Sequence, residues 1–100
     1  MKFNMNKFKE GKLGILFTTG DQYKTLMDIL TRLHQIANGK EPNEESLVGY
    51  LNTYQYDRYL YCGKDYYGDD IIEFYITKSE KREVITYKEF INSYNKSGKM

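Results

Sequence analysis

The chain has 100 residues, of which 40% are hydrophobic, and its 15 Lys and Arg against 14 Asp and Glu give a formal net charge of +1. A chain of this length folds around one core, so we expect a single domain over residues 1–100 and no deep, enclosed active site. The balanced charge argues against an acidic mimic of DNA and against a strongly basic protein that wraps it. DNA and RNA are therefore not expected as partners.

The residue content also limits location and cofactors. No apolar run approaches the roughly 20 residues that cross a bilayer, and residues 1–12 lack the apolar segment of a signal peptide. We therefore expect a cytoplasmic protein that does not associate with a membrane. One cysteine, Cys62, and one histidine, His34, are too few for a four-ligand zinc site. We predict no bound metal and no cofactor.

The first elements in chain order are a terminal segment and a strand. Residues 1–12 place aromatic and Met side chains between lysines, a pattern that fits a strand of alternating character or a basic arm. Chain termini are usually the least ordered part of a small domain, so we expect a loosely ordered segment with one or two aromatic side chains on the domain. Residues 13–18 are an apolar, branched run between glycines and a polar turn, which predicts a buried strand.

A long amphipathic helix follows this strand. Thr19 with Gln22 three residues later has the spacing of a capping box, and Asn38-Gly39 followed by Pro42 marks a stop. The sequence therefore predicts a helix of about five turns over residues 20–38. Its apolar face is expected to contain Tyr23, Leu26, Met27, Leu30, Leu33 and Ala37.

The next two segments are a weak helix and a hairpin. Residues 40–56 combine Pro, acidic residues and a few apolar positions, which favours a short helix or an ordered loop. Residues 57–62 and 70–77 have alternating, β-rich patterns, so we predict an antiparallel hairpin. Residues 63–69 form its loop.

The last third contains a charged turn and a final helix. Residues 78–83 are expected to be a solvated turn, and residues 84–87 to add a short stretch of strand. Thr86 and Glu89 again have capping-box spacing and begin a short amphipathic helix. We expect residues 95–100 to be loosely ordered.

This order of elements predicts an α+β fold. We expect a small antiparallel β-sheet of about three strands packed against one long amphipathic helix, with a short second helix and a C-terminal helix. The chain is too short for two wound βαβ units.

The sequence contains no pattern that predicts catalysis. The phosphate-binding and dinucleotide-binding glycine motifs are absent, and no Gly-x-Ser-x-Gly motif occurs. Cys62 is expected to be a small apolar filler and His34 a structural residue at the edge of the apolar stripe. The acidic loop of residues 65–70 is a candidate for a hard cation, but its spacing does not match an EF-hand. We therefore predict a protein that is not an enzyme, with no catalytic residues.

The tyrosine-rich segment is the candidate binding region. Tyrosine occurs 11 times in the chain, and aromatic side chains give large contact areas at low entropic cost. On a strand, Tyr59 and Tyr61 share one face, which lies on the open side of the sheet if the long helix covers the other side. Alternatively, another helix covers this face, the tyrosines are half-buried fillers, or their number reflects codon bias. The candidate binding residues are Tyr56, Arg58, Tyr59, Tyr61, Tyr66 and Tyr67.

The helix "TGDQYKTLMDIL" ending in glycine, the late hairpin and the terminal "VITYKEFI" together resemble small accessory proteins of tailed bacteriophages and prophages. This resemblance implies a non-enzymatic protein that redirects a host enzyme or occupies a component of host defence. The leading hypothesis is therefore a binding protein that contacts a host protein in the host cytoplasm through its tyrosine-rich sheet face and hairpin loop. The alternative is a homo-oligomer that sequesters a small nucleotide.

Overall fold

The protein combines helices with one β-sheet, which confirms the α+β class. The structure, a computed structural model, describes residues 2–34, 36–38 and 44–97. Its elements are α1 (Met5–Lys9), β1 (Leu13–Phe17), α2 (Gly20–Asp28) continued by a π-helical turn (Ile29–Leu33), β2 (Ala37–Asn38), α3 (Glu44–Thr53), β3 (Arg58–Lys64), β4 (Asp70–Tyr75), β5 (Glu83–Thr86) and α4 (Tyr87–Ser97).

The sheet differs from the predicted one in both size and direction. Its strand order is β2-β4-β3-β1-β5, with four strands of at least four residues and the two-residue β2 at one edge. β3 is antiparallel to β1 and to β4, whereas β5 is parallel to β1 and β2 is parallel to β4. The expectation of about three antiparallel strands was wrong because hydrophobic periodicity indicates that a segment is a strand but does not identify its partner.

The predicted strand and helix start around Thr19 are confirmed. β1 is buried along most of its length. The Thr19 hydroxyl accepts a hydrogen bond from the Gln22 N–H at 3.1 Å, and the Gln22 side chain accepts one from the Thr18 N–H at 2.8 Å. The first bond satisfies a backbone donor that the first helical turn leaves free, and the second fixes the residue before the N-cap to the helix.

The helix ends at Leu33 and not at Asn38, so its predicted C-terminal part was wrong. Its last residues form a wider π turn, in which the Thr31 hydroxyl donates to the Met27 carbonyl at 2.6 Å. A wider turn moves the following residues out of phase with a regular helix. Leu33, predicted in the core, is therefore 54% exposed, whereas Ile36 is buried. The predicted stop at Gly39 and Pro42 lies outside the described residues.

The N-terminal segment contains a helix and contributes to the core, where a strand or a basic arm was considered. Phe3 and Phe8 are buried, and the Phe3 ring meets the Phe90 ring edge-on at 4.7 Å. The Phe3 N–H also donates to the Ser93 hydroxyl of α4 at 3.0 Å. The N-terminal segment and α4 are therefore joined through buried contacts. Of the C-terminal residues, 98–100 lie outside the described part.

The short helix and the hairpin are confirmed as elements. α3 covers ten residues, and its Leu51 is fully buried. β3 and β4 pair in the register Tyr59↔Tyr75 and Lys64↔Asp70, so the turn between them is shorter than predicted. The Thr86–Glu89 capping box is reciprocal, with distances of 3.1 and 3.0 Å.

The connection from β4 to β5 crosses the sheet. The pairing directions make β4 and β5 parallel, and β3 and β1 lie between them. Residues 76–82, which we call the strap, must therefore run from one end of the sheet to the other over one face. The other face of the sheet packs against α2 and α4 to form the core. Its residues include Ile15, Leu60 and Ile85. The strap accordingly crosses the face that contains Tyr59 and Tyr61.

We expect Gly14→Ala to lower the free energy of unfolding by about 1–3 kcal/mol, because a Cβ at residue 14 would lie 2.3 Å from the Tyr61 ring and overpacking forces neighbours to shift. Urea denaturation measures this change. The control is Gly49→Ala in α3, where a Cβ meets nothing within 4 Å. This second variant should be more stable than the wild type by about 0.5–1 kcal/mol. Equal stability of Gly14→Ala and the wild type would contradict the packing described.

Candidate functional site

The six candidate binding residues do not form one exposed surface. Tyr61 is 0% exposed, and Arg58 and Tyr59 are also buried. Tyr56, Tyr66 and Tyr67 are exposed. The expectation that Tyr59 and Tyr61 are displayed on an open sheet face was therefore wrong, although they do lie on the face opposite the core.

The strap buries Tyr61. The Ser79 N–H donates to the Tyr61 hydroxyl at 3.2 Å, and the Arg82 guanidinium lies 4.6 Å from the centre of the Tyr61 ring. The Tyr75 ring contacts Tyr61 edge-on at 5.2 Å. Residue 82 was expected in a solvated turn, but it is half-buried because its planar cation covers an aromatic ring.

Tyr59 continues this buried aromatic row. Its ring is nearly parallel to that of Tyr61, at 6.3 Å between centres. Burial, followed by the nearby Asp57 and Tyr61, raises the pKa of the Tyr59 phenol. Because the ring is buried, the residue supports the sheet instead of presenting a contact surface.

Arg58 connects α3 to β3. It lies opposite Phe17 in the sheet, and its Nη1 donates to the carbonyls of Tyr54 at 3.2 Å and Tyr56 at 2.8 Å. Its guanidinium also lies 5.4 Å from the centre of the Tyr56 ring. Carbonyls at a helix end favour a cation, so this arginine holds the chain that leaves α3.

The exposed tyrosines lie at the two ends of the hairpin. Tyr66 and Tyr67 occupy the β3–β4 turn, with rings 5.4 Å apart. Tyr50 and Tyr54 form a second pair on α3, with rings 5.0 Å apart, and Tyr56 follows them. β3 lies between the two groups and its seven residues span about 20 Å at the usual rise of roughly 3.3 Å per residue.

Neither Tyr50 nor Tyr54 is among the candidate binding residues that the sequence suggested, although both are exposed. The available signal was their spacing of four residues in a segment predicted to be a short helix, which places both side chains on the same face. Because the sequence favoured either a short helix or an ordered loop over residues 40–56, this spacing alone did not identify a shared helix face.

The acidic turn supports its own backbone. Asp65 accepts hydrogen bonds from the N–H groups of Tyr67 at 2.8 Å and Asp69 at 2.9 Å, and Asp70 pairs with Lys64. Gly68 has a positive φ of 83°. Across residues 2–34, 36–38 and 44–97, no group of three or more His, Cys, Asp and Glu side chains is placed to hold a metal ion.

Cys62 and His34 show no arrangement for catalysis. Cys62 belongs to the core, and its burial raises the pKa of its thiol, which therefore stays protonated and weakly nucleophilic. His34 is half-buried, and burial together with the positive charge of Lys9 lowers its pKa. Among the described residues, its Nε2 has no hydrogen-bond partner.

Comparison of the chain with protein-family models, curated proteins and solved structures finds no significant match. None of the helices in the described part of the chain is long and apolar enough to cross a membrane. The fold and the surface together define an α+β domain with two exposed groups of tyrosines.

We expect Tyr61→Phe to lower the free energy of unfolding by about 1 kcal/mol, because the variant loses the acceptor for the Ser79 N–H. The Ser79 amide should also exchange with solvent faster, as hydrogen exchange measured by NMR would show. Tyr66→Phe is the matched control, since Tyr66 is 96% exposed and the same change there should alter stability by less than about 0.5 kcal/mol. Unchanged Ser79 exchange in Tyr61→Phe would contradict the role of this bond.

We expect His34 to make the protein less stable below neutral pH. Its folded-state pKa lies below the model value of 6.5, so the unfolded chain takes up the proton first as the pH falls, and folding stability is lost. Above that range both states are neutral and the effect vanishes. Urea denaturation from about pH 7.5 to about pH 5.5 should therefore show a steeper loss for the wild type than for His34→Gln. Identical slopes for the two proteins would refute this linkage.

Proposed function

We propose that this protein is a small, non-enzymatic binding protein that contacts another protein through the exposed tyrosines of its β3–β4 turn. The observation that carries the proposal is the exposure of Tyr66 and Tyr67, at 96% and 85%. Tyrosine is enriched in protein interfaces because it combines a large apolar area with a hydrogen-bonding hydroxyl. Two such side chains at the tip of a hairpin form a contact point that a partner can reach.

The geometry of the turn supports this use. Asp65 holds the backbone N–H groups of Tyr67 and Asp69, and the Gly68 N–H donates to the Asp65 carbonyl at 3.0 Å. The two tyrosine rings also contact each other edge-on. A contact site that is ordered before binding loses less conformational entropy when the complex forms.

The proposed partner is a bacterial host protein, and the proposed setting is the host cytoplasm during phage infection or prophage maintenance. The support for this step is the resemblance of the chain to small phage accessory proteins. Such a protein would act by occupying a site on a host enzyme or on a component of host defence. Tyr56, at the other end of the hairpin, is exposed and is the third candidate contact residue.

The test compares the wild type with the double variant Tyr66→Ala/Tyr67→Ala in capture experiments with a bacterial lysate, followed by measurement of affinity for the captured protein. We expect the double variant to bind about tenfold or more weakly, since interface tyrosines are frequent hot spots. Its melting temperature should not change, because both side chains project into solvent. Lys88→Ala, an exposed position on α4, is the control and should bind like the wild type.

A thermal-shift panel of nucleotides distinguishes the alternative ligand class. A ligand that binds only the folded state raises the melting temperature. If a nucleotide raises it and the protein forms an oligomer in light scattering, while no lysate protein binds, then the nucleotide-sequestering hypothesis replaces the proposal. If affinity for the captured protein is the same in the double variant, the tyrosines of the turn are not the contact site.

A further inference from the structure

The exposed face of α3 contains a glycine that the fold does not explain. Gly49 lies in the middle of the helix, and a Cβ there would meet nothing within 4 Å. Glycine inside a helix costs stability relative to alanine, and here no neighbouring atom of the described chain requires it. By contrast, Gly20 is needed, since a Cβ there would lie 2.0 Å from the Val48 carbonyl oxygen. The open position at residue 49 permits close approach of an external group to the helix backbone.

Two tyrosines lie beside this opening. Tyr50 and Tyr54 are one helical turn apart and are 55% and 49% exposed, with their rings 5.0 Å apart. Thr53, one turn after Gly49, donates its hydroxyl to the Gly49 carbonyl at 2.9 Å. Residues three and four apart are neighbours on a helix surface, so these four residues form one exposed patch with a gap at Gly49 and two aromatic side chains at its border. We call it the α3 patch.

The α3 patch has rigid support. Leu51, on the opposite side of the helix, is fully buried. The Asn52 side chain accepts the Asp21 N–H at 3.1 Å and donates to the Asp21 carboxylate at 3.2 Å, which fixes α3 to α2. Arg58 holds the chain at the other end through the Tyr54 carbonyl. A patch that is held in place in this way presents a preformed surface.

The sequence of the segment that contains the α3 patch is acidic. Residues 44–57 contain Glu44, Glu45 and Asp57 but no lysine or arginine, while the rest of the chain carries all 15 of its basic residues. Arg58 follows this segment, but its guanidinium is buried and engaged by two carbonyls. The α2 residue bonded to α3 is also an acid, Asp21.

We propose that the α3 patch binds a positively charged segment of another protein, with Arg or Lys side chains placed on the rings of Tyr50 and Tyr54. A cation over an aromatic face is attracted by the ring quadrupole, and arginine also stacks on it. The acidic residues of this segment add long-range attraction. The gap at Gly49 admits the backbone of the bound segment. This inference rests on the proposed function and adds to it the charge of the partner.

The same charges disfavour two other occupants. A nucleic acid would bring phosphate groups to an acidic region. A second copy of the chain that used the same patch would place acidic residues against acidic residues. A basic segment of a different protein is the occupant with complementary charge.

The probe is a 12-residue peptide of alternating Arg and Ala, compared with a matched peptide in which Glu replaces Arg. Both are titrated into the full chain and followed by NMR. We expect the Arg peptide to bind, to shift the amide signals of residues 49–54, and to bind more weakly as salt is added. The Glu peptide should not bind. Absence of binding by the Arg peptide, or signal shifts confined to the acidic turn at residues 65–70, would overturn the proposal.

Three variants test the α3 patch directly. Tyr50→Ala and Tyr54→Ala should each weaken binding of the Arg peptide by roughly fivefold to thirtyfold. Gly49→Lys fills the gap and adds a positive charge, so it should abolish binding while the melting temperature stays equal or rises. Lys88→Ala, at an exposed position on α4, is the control and should bind the peptide like the wild type. If Gly49→Lys binds the peptide normally, the inference is wrong.

The remaining outcomes separate this inference from the proposed function. If Gly49→Lys still captures the lysate protein while Tyr66→Ala/Tyr67→Ala does not, the α3 inference fails and the proposed function stands. If none of these variants changes capture of that protein, the proposed function fails as well. Sedimentation that shows a wild-type dimer abolished by Gly49→Lys, without peptide binding, would identify a second copy as the occupant and would also overturn the inference.

Discussion

The path of the chain between β4 and β5 constrains the whole molecule. These strands run in the same direction, and β3 and β1 separate them, so the strap has to cross the sheet between opposite ends. One face is already filled by the helices and the core, which leaves the other face for the crossing. Tyr61 supports the strap there through its hydroxyl and its ring. Gly14 leaves space for that ring, because a side chain on the neighbouring strand would collide with it.

This crossing decides which aromatic residues are accessible. The row of Tyr59, Tyr61 and Tyr75 packs internally, so the face that seemed open in a simple two-layer arrangement is largely closed. The most accessible tyrosines lie in the hairpin turn, on α3 and directly after it, while Tyr75 in this row stays partly exposed. Each group is held by local bonds, from Asp65 in the turn and from Arg58 after the helix. Both groups of tyrosines are thus exposed and held in position by neighbouring residues.

Much of the local structure followed from residue types and spacing. The capping boxes at Thr19 and Thr86 identified two helix starts, because they depend on contacts three residues apart. The hairpin was predictable because its strands are close in the sequence. By contrast, the π turn that ends the long helix was missed, since the apolar spacing continued smoothly through Leu33 toward Ala37. The pairing of Ala37–Asn38 with Ile71 and Ile72 depends on residues distant in the chain.

The candidate site likewise combines features that the sequence predicts with features that depend on the tertiary structure. Composition and pattern alone determined an α+β domain with a tyrosine-rich hairpin and no recognised catalytic motif, because helix caps, strand alternation and chemical motifs are local features. Only the tertiary structure decided that Tyr59, Tyr61 and Arg58 are buried while Tyr50, Tyr54, Tyr66 and Tyr67 are exposed. The physical reason is that strand alternation assigns a residue to one face of a sheet, whereas the cover on that face depends on where a distant connection crosses it.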